Sequence, residues 1–127
     1  MTRSVLIVED NELNRRLFCH VLTRAGYRVI EAADGETGVA LATSERPSLV
    51  VLDMELPEIP GTEVIRRIRE QESVAQTPIL VVSALVSESL ASHAQALGCS
   101  GFLQKPVAPR ALVAAVDRAV CRPEPTA

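Results

Sequence analysis

A chain of 127 residues holds one domain, which excludes a two-domain enzyme or a long repeat array. Apolar residues make up 47% of it, enough for a buried core and too many for a disordered chain. Thirteen basic residues against sixteen acidic ones leave a net charge of -3, and the aromatic residues are one Tyr and two Phe, so there is neither the basic footprint nor the stacking surface of a nucleic-acid binder.

The first apolar run is Val5-Leu6-Ile7-Val8, within a strand over residues 4–8. It is too short for a signal peptide or a membrane span and reads as a buried strand. Residues 11–25 carry Leu13, Leu17, Val21, Leu22 and Ala25 at helical spacing, with Gly26 as the stop. Residues 28–32 form a second, more polar strand suited to a sheet edge. Asp34 and Gly35 open a helix that ends before Pro47, and Leu49-Val50-Val51-Leu52 is another buried strand, stopping at Asp53. Residues 55–61 hold two prolines and a glycine and read as a loop. A helix over 62–71 turns Val64, Ile65 and Ile68 to one side. Ile79-Leu80-Val81-Val82 is a buried strand ending at Ser83, and residues 87–97 form a weaker helix closed by Gly98. Residues 101–104 are the last strand and Lys105-Pro106 a turn. Pro109 opens the final helix, which carries Leu112, Val113, Val116 and Val120. These elements make one domain over residues 1–121, with a short tail at 122–127.

Strands alternating with helices predict an α/β fold, a parallel sheet covered on both faces. With right-handed crossovers the natural five-strand solution is the doubly wound, flavodoxin-like order 2-1-3-4-5. Cys19, Cys99 and Cys121 are scattered and odd in number, so they read as reduced thiols rather than a disulfide framework or a zinc site. His20 and His93 have no ligand-like partners in sequence.

Ligands of such sheets bind at the carboxyl ends of the strands. Those ends carry Glu9 and Asp10 after the first strand, Asp53 on the third, Ser83 on the fourth and Lys105 after the fifth. Asp10 or Asn11 could serve simply as a helix cap. The conjunction of all five on one rim goes beyond capping. Clustered carboxylates repel one another, and a hard divalent cation such as Mg²⁺ relieves this. A carboxylate such as Asp53 can attack phosphorus to form an acyl phosphate, with Lys105 and Ser83 serving the phosphoryl oxygens. Nucleotide-binding glycine motifs are absent.

With these residues in view, the chain resembles the receiver domain of two-component response regulators, most nearly the stand-alone type. The resemblance covers about residues 4–120 and rests on Glu9-Asp10, Leu52-Asp53-Met54 with Pro57 and Gly61, Val82-Ser83-Ala84, and Gly101-Phe102-Leu103-Gln104-Lys105-Pro106. It implies that Asp53 accepts a phosphoryl group from a sensor histidine kinase or a histidine phosphotransfer protein. It implies Mg²⁺ as cofactor, held by Glu9, Asp10, Asp53 and the backbone carbonyl of Glu55. It also implies a cis Lys105–Pro106 bond, a catalytic set of Asp53, Lys105 and Ser83, and a switch made of Ser83 and Phe102. Phe102 stands where the family often has Tyr.

The expected protein is a cytoplasmic signalling switch and not an enzyme, catalysing only its own phosphorylation and slow dephosphorylation. A downstream protein partner would bind the face of helix four, strand five and helix five. No nucleic acid or membrane is expected as partner, and the chain would be a monomer or weak dimer. Arg15, Arg16 and Pro106 are candidates for kinase selection. Glu55 is expected to pair with Lys105 at rest. A stand-alone role without an output domain is expected. The alternatives are a piece of a larger regulator or hybrid kinase, a phosphorylation-independent interaction module, and a flavodoxin-like nucleotide or flavin binder.

Overall fold

The structure is a computed structural model that describes residues 3–85 and 88–120. In chain order it contains β1 (Ser4–Val8), α1 (Glu12–Arg24), β2 (Arg28–Ala32), α2 (Gly35–Glu45), β3 (Leu49–Asp53), α3 (Gly61–Glu70), a short 3-10 helix (Glu72–Val74), β4 (Ile79–Ser83), α4 (Glu88–Ala96), β5 (Gly101–Gln104) and α5 (Pro109–Val120). All four strand pairs are parallel, in the order β2-β1-β3-β4-β5. This is the doubly wound α/β sheet that the sequence predicts. The 3-10 helix was absent from that reading, being too short to show periodicity. The expected start of the fourth helix at Ser87, the thiol of Cys121 and the tail at 122–127 lie outside the described residues.

Successive side chains of a strand point to opposite faces, and here that alternation divides the core in two. Leu6, Val8, Val50, Leu52, Ile79 and Val81 pack with Val64, Ile65 and Ile68 of α3. Val5, Ile7, Leu49, Val51, Leu80 and Val82 pack with Phe18 and Leu22 of α1 and with Leu112 and Val116 of α5. The three central strands are therefore apolar at nearly every position, as parallel strands buried on both faces must be. On β5 the same division sends Phe102 to the α3 side and Leu103 to the α1/α5 side.

The caps follow from local chemistry. Asn11 Oδ1 accepts the Asn14 N–H at 2.9 Å and starts α1, and Asp34 Oδ1 accepts the Thr37 N–H at 2.7 Å and starts α2. Gly26 and Gly98 follow α1 and α4 with φ of 101° and 81°, a conformation that glycine adopts at little cost.

The buried face of α1 keeps Leu22 of the expected residues but not Leu13 or Leu17. Phe18 and Leu22 face the sheet, whereas Leu13 and Leu17 are 78% and 45% exposed. Residues 13, 17 and 21 make one stripe at four-residue spacing and residues 18 and 22 another, and the sheet takes the second. Leu13 and Leu17 lie toward solvent, while Val21 is half-buried against the core.

Gly61 sits where the chain leaves the β3–α3 loop. A Cβ there would lie 2.7 Å from the Met54 backbone Cα and 3.2 Å from the Asp53 carbonyl oxygen. Gly61→Ala is expected to destabilise the chain by about 2 kcal/mol, read as a lower urea midpoint, because the clash is with backbone that cannot rotate away.

Candidate functional site

Glu9 follows β1 directly, and its N–H still donates to the Ala32 carbonyl at 3.0 Å, so the sheet ladder fixes its backbone. Asp53 ends β3 opposite Val82. Both carboxylates are almost fully enclosed, at 1% and 3% exposure, while Asp10 faces solvent. Carboxylate oxygens of Glu9, Asp10 and Asp53 all lie within 4.8 Å of one another. Such a set of hard oxygen donors, two buried and one at the mouth, suits a divalent cation with oxygen preference.

Lys105 reaches into this acid pair. Its Nζ donates to Glu9 Oε1 at 2.8 Å and lies 3.2 Å from Asp53 Oδ2. The peptide bond from Lys105 to Pro106 is cis, as the resemblance implies. Burial alone would lower the Lys105 pKa, but the hydrogen bond and charge of Glu9, with those of Asp53, outweigh it and leave the ammonium raised. Burial pushes the Glu9 carboxyl up to about 7, with the neighbouring Asp53 adding to the rise and Lys105 opposing it. One cation for two buried acids leaves an excess of negative charge.

Glu55 does not pair with Lys105, contrary to expectation. Its carboxylate turns instead to the end of β4. Ser83 Oγ donates to Glu55 Oε2 at 2.7 Å, and the Ala84 N–H donates to Oε1 at 2.6 Å. Ser83 Oγ in turn accepts the Leu85 N–H at 3.1 Å. Strand alternation sets Ser83 apart from the acid pair, and Glu55, past the end of β3, turns to the Ser83 side. Glu9, Asp53 and Lys105 continue the odd-numbered positions of β1, β3 and β5 that face α1 and α5. Ser83 continues Ile79 and Val81, which face the other way. The backbone N–H of Glu55 meanwhile donates to Asp53 Oδ1 at 3.0 Å, and its carbonyl belongs to the same tight loop.

Phe102 of the expected switch lies half-buried against the α3-side core, one strand from Val81. Lys105 N–H donates to the Ser83 carbonyl at 2.8 Å, so the two loops at this rim are tied through backbone. Arg15 is one of the residues that the sequence offers for selecting a kinase. Its guanidinium is largely enclosed, donating to the Glu9 carbonyl at 3.0 Å and pairing with Glu31 at 3.3 Å. It braces the β1–α1 turn that carries the acid pair. Arg16, by contrast, is exposed and pairs with Glu12 at 2.9 Å, and Pro106 is exposed. The bracing role of Arg15 and the side-chain role of Glu55 escaped the sequence reading.

The sheet rim thus brings together Glu9, Asp10, Asp53 and Lys105 in one polar pocket, with Ser83 and Glu55 on its flank. Cys19 and Cys99 are free thiols away from this rim, and no helix among the described residues is long and apolar enough to cross a membrane.

Known proteins resemble this chain over most of its length. The sequence model for the response regulator receiver domain matches residues 5–117. The polar-differentiation response regulator DivK of Brucella ovis is 35% identical over 107 residues, covering 84% of this chain and 87% of that protein. The chemotaxis protein CheY4 of Vibrio cholerae superposes with a TM-score of 0.90 at 32% identity, covering 94% of this chain and 99% of that one. The receiver domain of the sensor histidine kinase PA1611 of Pseudomonas aeruginosa superposes with a TM-score of 0.86 at 29% identity, covering 94% and 98%. That structure has a magnesium ion coordinated in its active-site cleft.

Proposed function

Since the chain belongs to the response regulator receiver domain family, we propose that it is a phosphoryl-accepting switch whose acceptor is Asp53. The carrying observation is the Lys105 ammonium held between Glu9 and Asp53 at the rim of the sheet.

The donor is a phosphohistidine of a sensor kinase or phosphotransfer protein. An Asp53 carboxylate oxygen attacks phosphorus, and the new O–P bond forms as the P–N bond breaks and the imidazole takes the electron pair. Burial keeps this carboxylate free of a water shell, and the Glu55 N–H fixes its orientation from one side. Lys105 stands 3.2 Å away to neutralise the added charge. Glu9, Asp10 and Asp53 are the residues that would hold Mg²⁺, with the Glu55 carbonyl. When bound, that ion supplies positive charge against the phosphoryl oxygens and relieves the carboxylate repulsion.

Phosphorylation adds roughly one to two negative charges beside Ser83 and Lys105. The Ser83 loop and Phe102 then re-pack, changing the α4-β5-α5 face that a downstream partner reads. A cavity of about 360 Å³ beside β5 and α5, lined by Leu80, Phe102, Leu103, Ala115, Arg118 and Ala119, gives that face relief for a protein partner. The intact acid set and lysine favour this reading over a phosphorylation-independent module. The chain acts on no substrate but its own acyl phosphate.

The test is phosphorylation by acetyl phosphate with Mg²⁺, followed by intact-protein mass. The wild-type chain should gain one phosphoryl group and Asp53→Asn none. Equal labelling of both would refute Asp53 as the acceptor.

A further inference from the structure

The Glu55 side chain occupies hydrogen-bond donors that the proposed switch must use. Ser83 Oγ has a single proton, and Glu55 Oε2 at 2.7 Å is the nearer of its two acceptors, the Leu85 carbonyl lying at 3.0 Å. The adjacent Ala84 N–H is donated to the other oxygen of the same carboxylate at 2.6 Å. Two donors at the end of β4 already close on one anion. A phosphoryl group on Asp53 offers oxygens of the same kind one strand away, because Asp53 pairs with Val82 in the sheet register. The same two donors cannot serve both anions.

We propose that Glu55 is a resting-state latch: its carboxylate stands in for the phosphoryl oxygens at Ser83 and Ala84, and phosphorylation of Asp53 must displace it. This rests on Asp53 being the acceptor. Glu55 is well placed to couple the two events. Its backbone N–H holds Asp53 Oδ1 at 3.0 Å while its side chain holds the β4–α4 loop, so one residue touches both acceptor and switch. The latch raises the threshold for activation, since the charge-assisted bonds to Glu55 are lost before those to phosphoryl are gained. Once displaced, the Glu55 carboxylate carries its charge out toward the pocket mouth. The surface beside the loop therefore changes in charge as well as in shape.

The experiment titrates beryllofluoride, with Mg²⁺ present, into the wild-type chain and into Glu55→Ala and Glu55→Gln. Amide exchange at Ala84 is measured in the same proteins before addition. Loss of a charge-assisted pair is worth about a tenfold change in affinity. Glu55→Ala is expected to bind beryllofluoride about tenfold more tightly than wild type, and Glu55→Gln to fall between them. The Ala84 amide should exchange faster in free Glu55→Ala than in free wild type. Tighter binding with unchanged Ala84 exchange would overturn the latch in favour of plain charge repulsion. Equal affinities in all three proteins would overturn it outright. A wild-type chain that ignores beryllofluoride overturns the acceptor reading, and the latch with it. Glu55→Gln keeps the size and polarity of the side chain and so guards against a folding defect in the alanine variant.

Discussion

Lys105→Ala is expected to cost about 2–3 kcal/mol of stability at pH 7.5 in the absence of divalent cations, read from urea unfolding. Removing one partner of a buried ion pair ordinarily costs about 3–5 kcal/mol because the other charge stays buried and unpaired. Here two carboxylates are left facing each other, Glu9 at 1% and Asp53 at 3% exposure. The loss is held below the full range because Glu9, with its pKa already up at about 7, can take a proton in place of the ammonium. The deficit should therefore shrink at pH 5, where that proton is supplied. It should also shrink on adding millimolar Mg²⁺ at pH 7.5. A variant equally destabilised at both pH values would mean that Lys105 contributes packing rather than charge.

The second large effect concerns Glu9 itself. A carboxyl whose folded pKa is raised from 4.5 to about 7 holds a proton in the folded chain while the unfolded chain has released it. The cation-free protein is therefore favoured on the acid side of this window and loses stability as pH rises from about 4.5 through about 7. Glu9→Gln has no proton to lose. The wild-type stability minus that of Glu9→Gln should fall by about 2 kcal/mol between pH 5 and pH 8. Divalent cations act in the opposite sense: Mg²⁺ must compete with the Glu9 proton, so its affinity for wild type should rise several-fold over the same interval. Glu9→Gln should bind Mg²⁺ at least tenfold more weakly, and with a flatter pH dependence. Calorimetric titration at the two pH values measures both. A flat stability difference would place the Glu9 carboxyl at an ordinary pKa.

The strands were plain in the sequence because buried parallel strands leave an unbroken apolar run, as at Val5 to Val8, Leu49 to Leu52 and Ile79 to Val82. The polar residues at their ends were plain for the same reason: each run stops where the rim begins. The face of α1 was not legible. Leu13 and Leu17 lie on as good a stripe as Phe18 and Leu22, and only contact with the sheet separates them. Likewise, a rim position tells which residues gather and not which of them touch. Glu55 and Lys105 are neighbours in that loose sense, yet Lys105 closes on Glu9 and Asp53 while Glu55 closes on Ser83. The parity of each residue along its strand, which the apolar runs conceal by being apolar at odd and even positions alike, separates Lys105 from Ser83, and the loop after β3 decides the side of Glu55.

That parity makes chain length itself a functional quantity. One residue more or fewer between Gly98 and Phe102 could leave the composition of β5 intact and its hydrogen-bond ladder complete. Where that change slips the strand by one residue, its faces reverse. Phe102 and Leu103 would exchange sides, a tolerable swap between two apolar cores, but Lys105 would be carried away from Glu9 and Asp53. Two buried acids would lose their cation without any substitution in the site. The short segment at Cys99 and Ser100 touches neither acid nor phosphoryl group, yet as a spacer of fixed count it governs the charge balance of the pocket. Among divergent chains of this fold, insertions and deletions in that connection should be purged as strictly as replacements of the lysine.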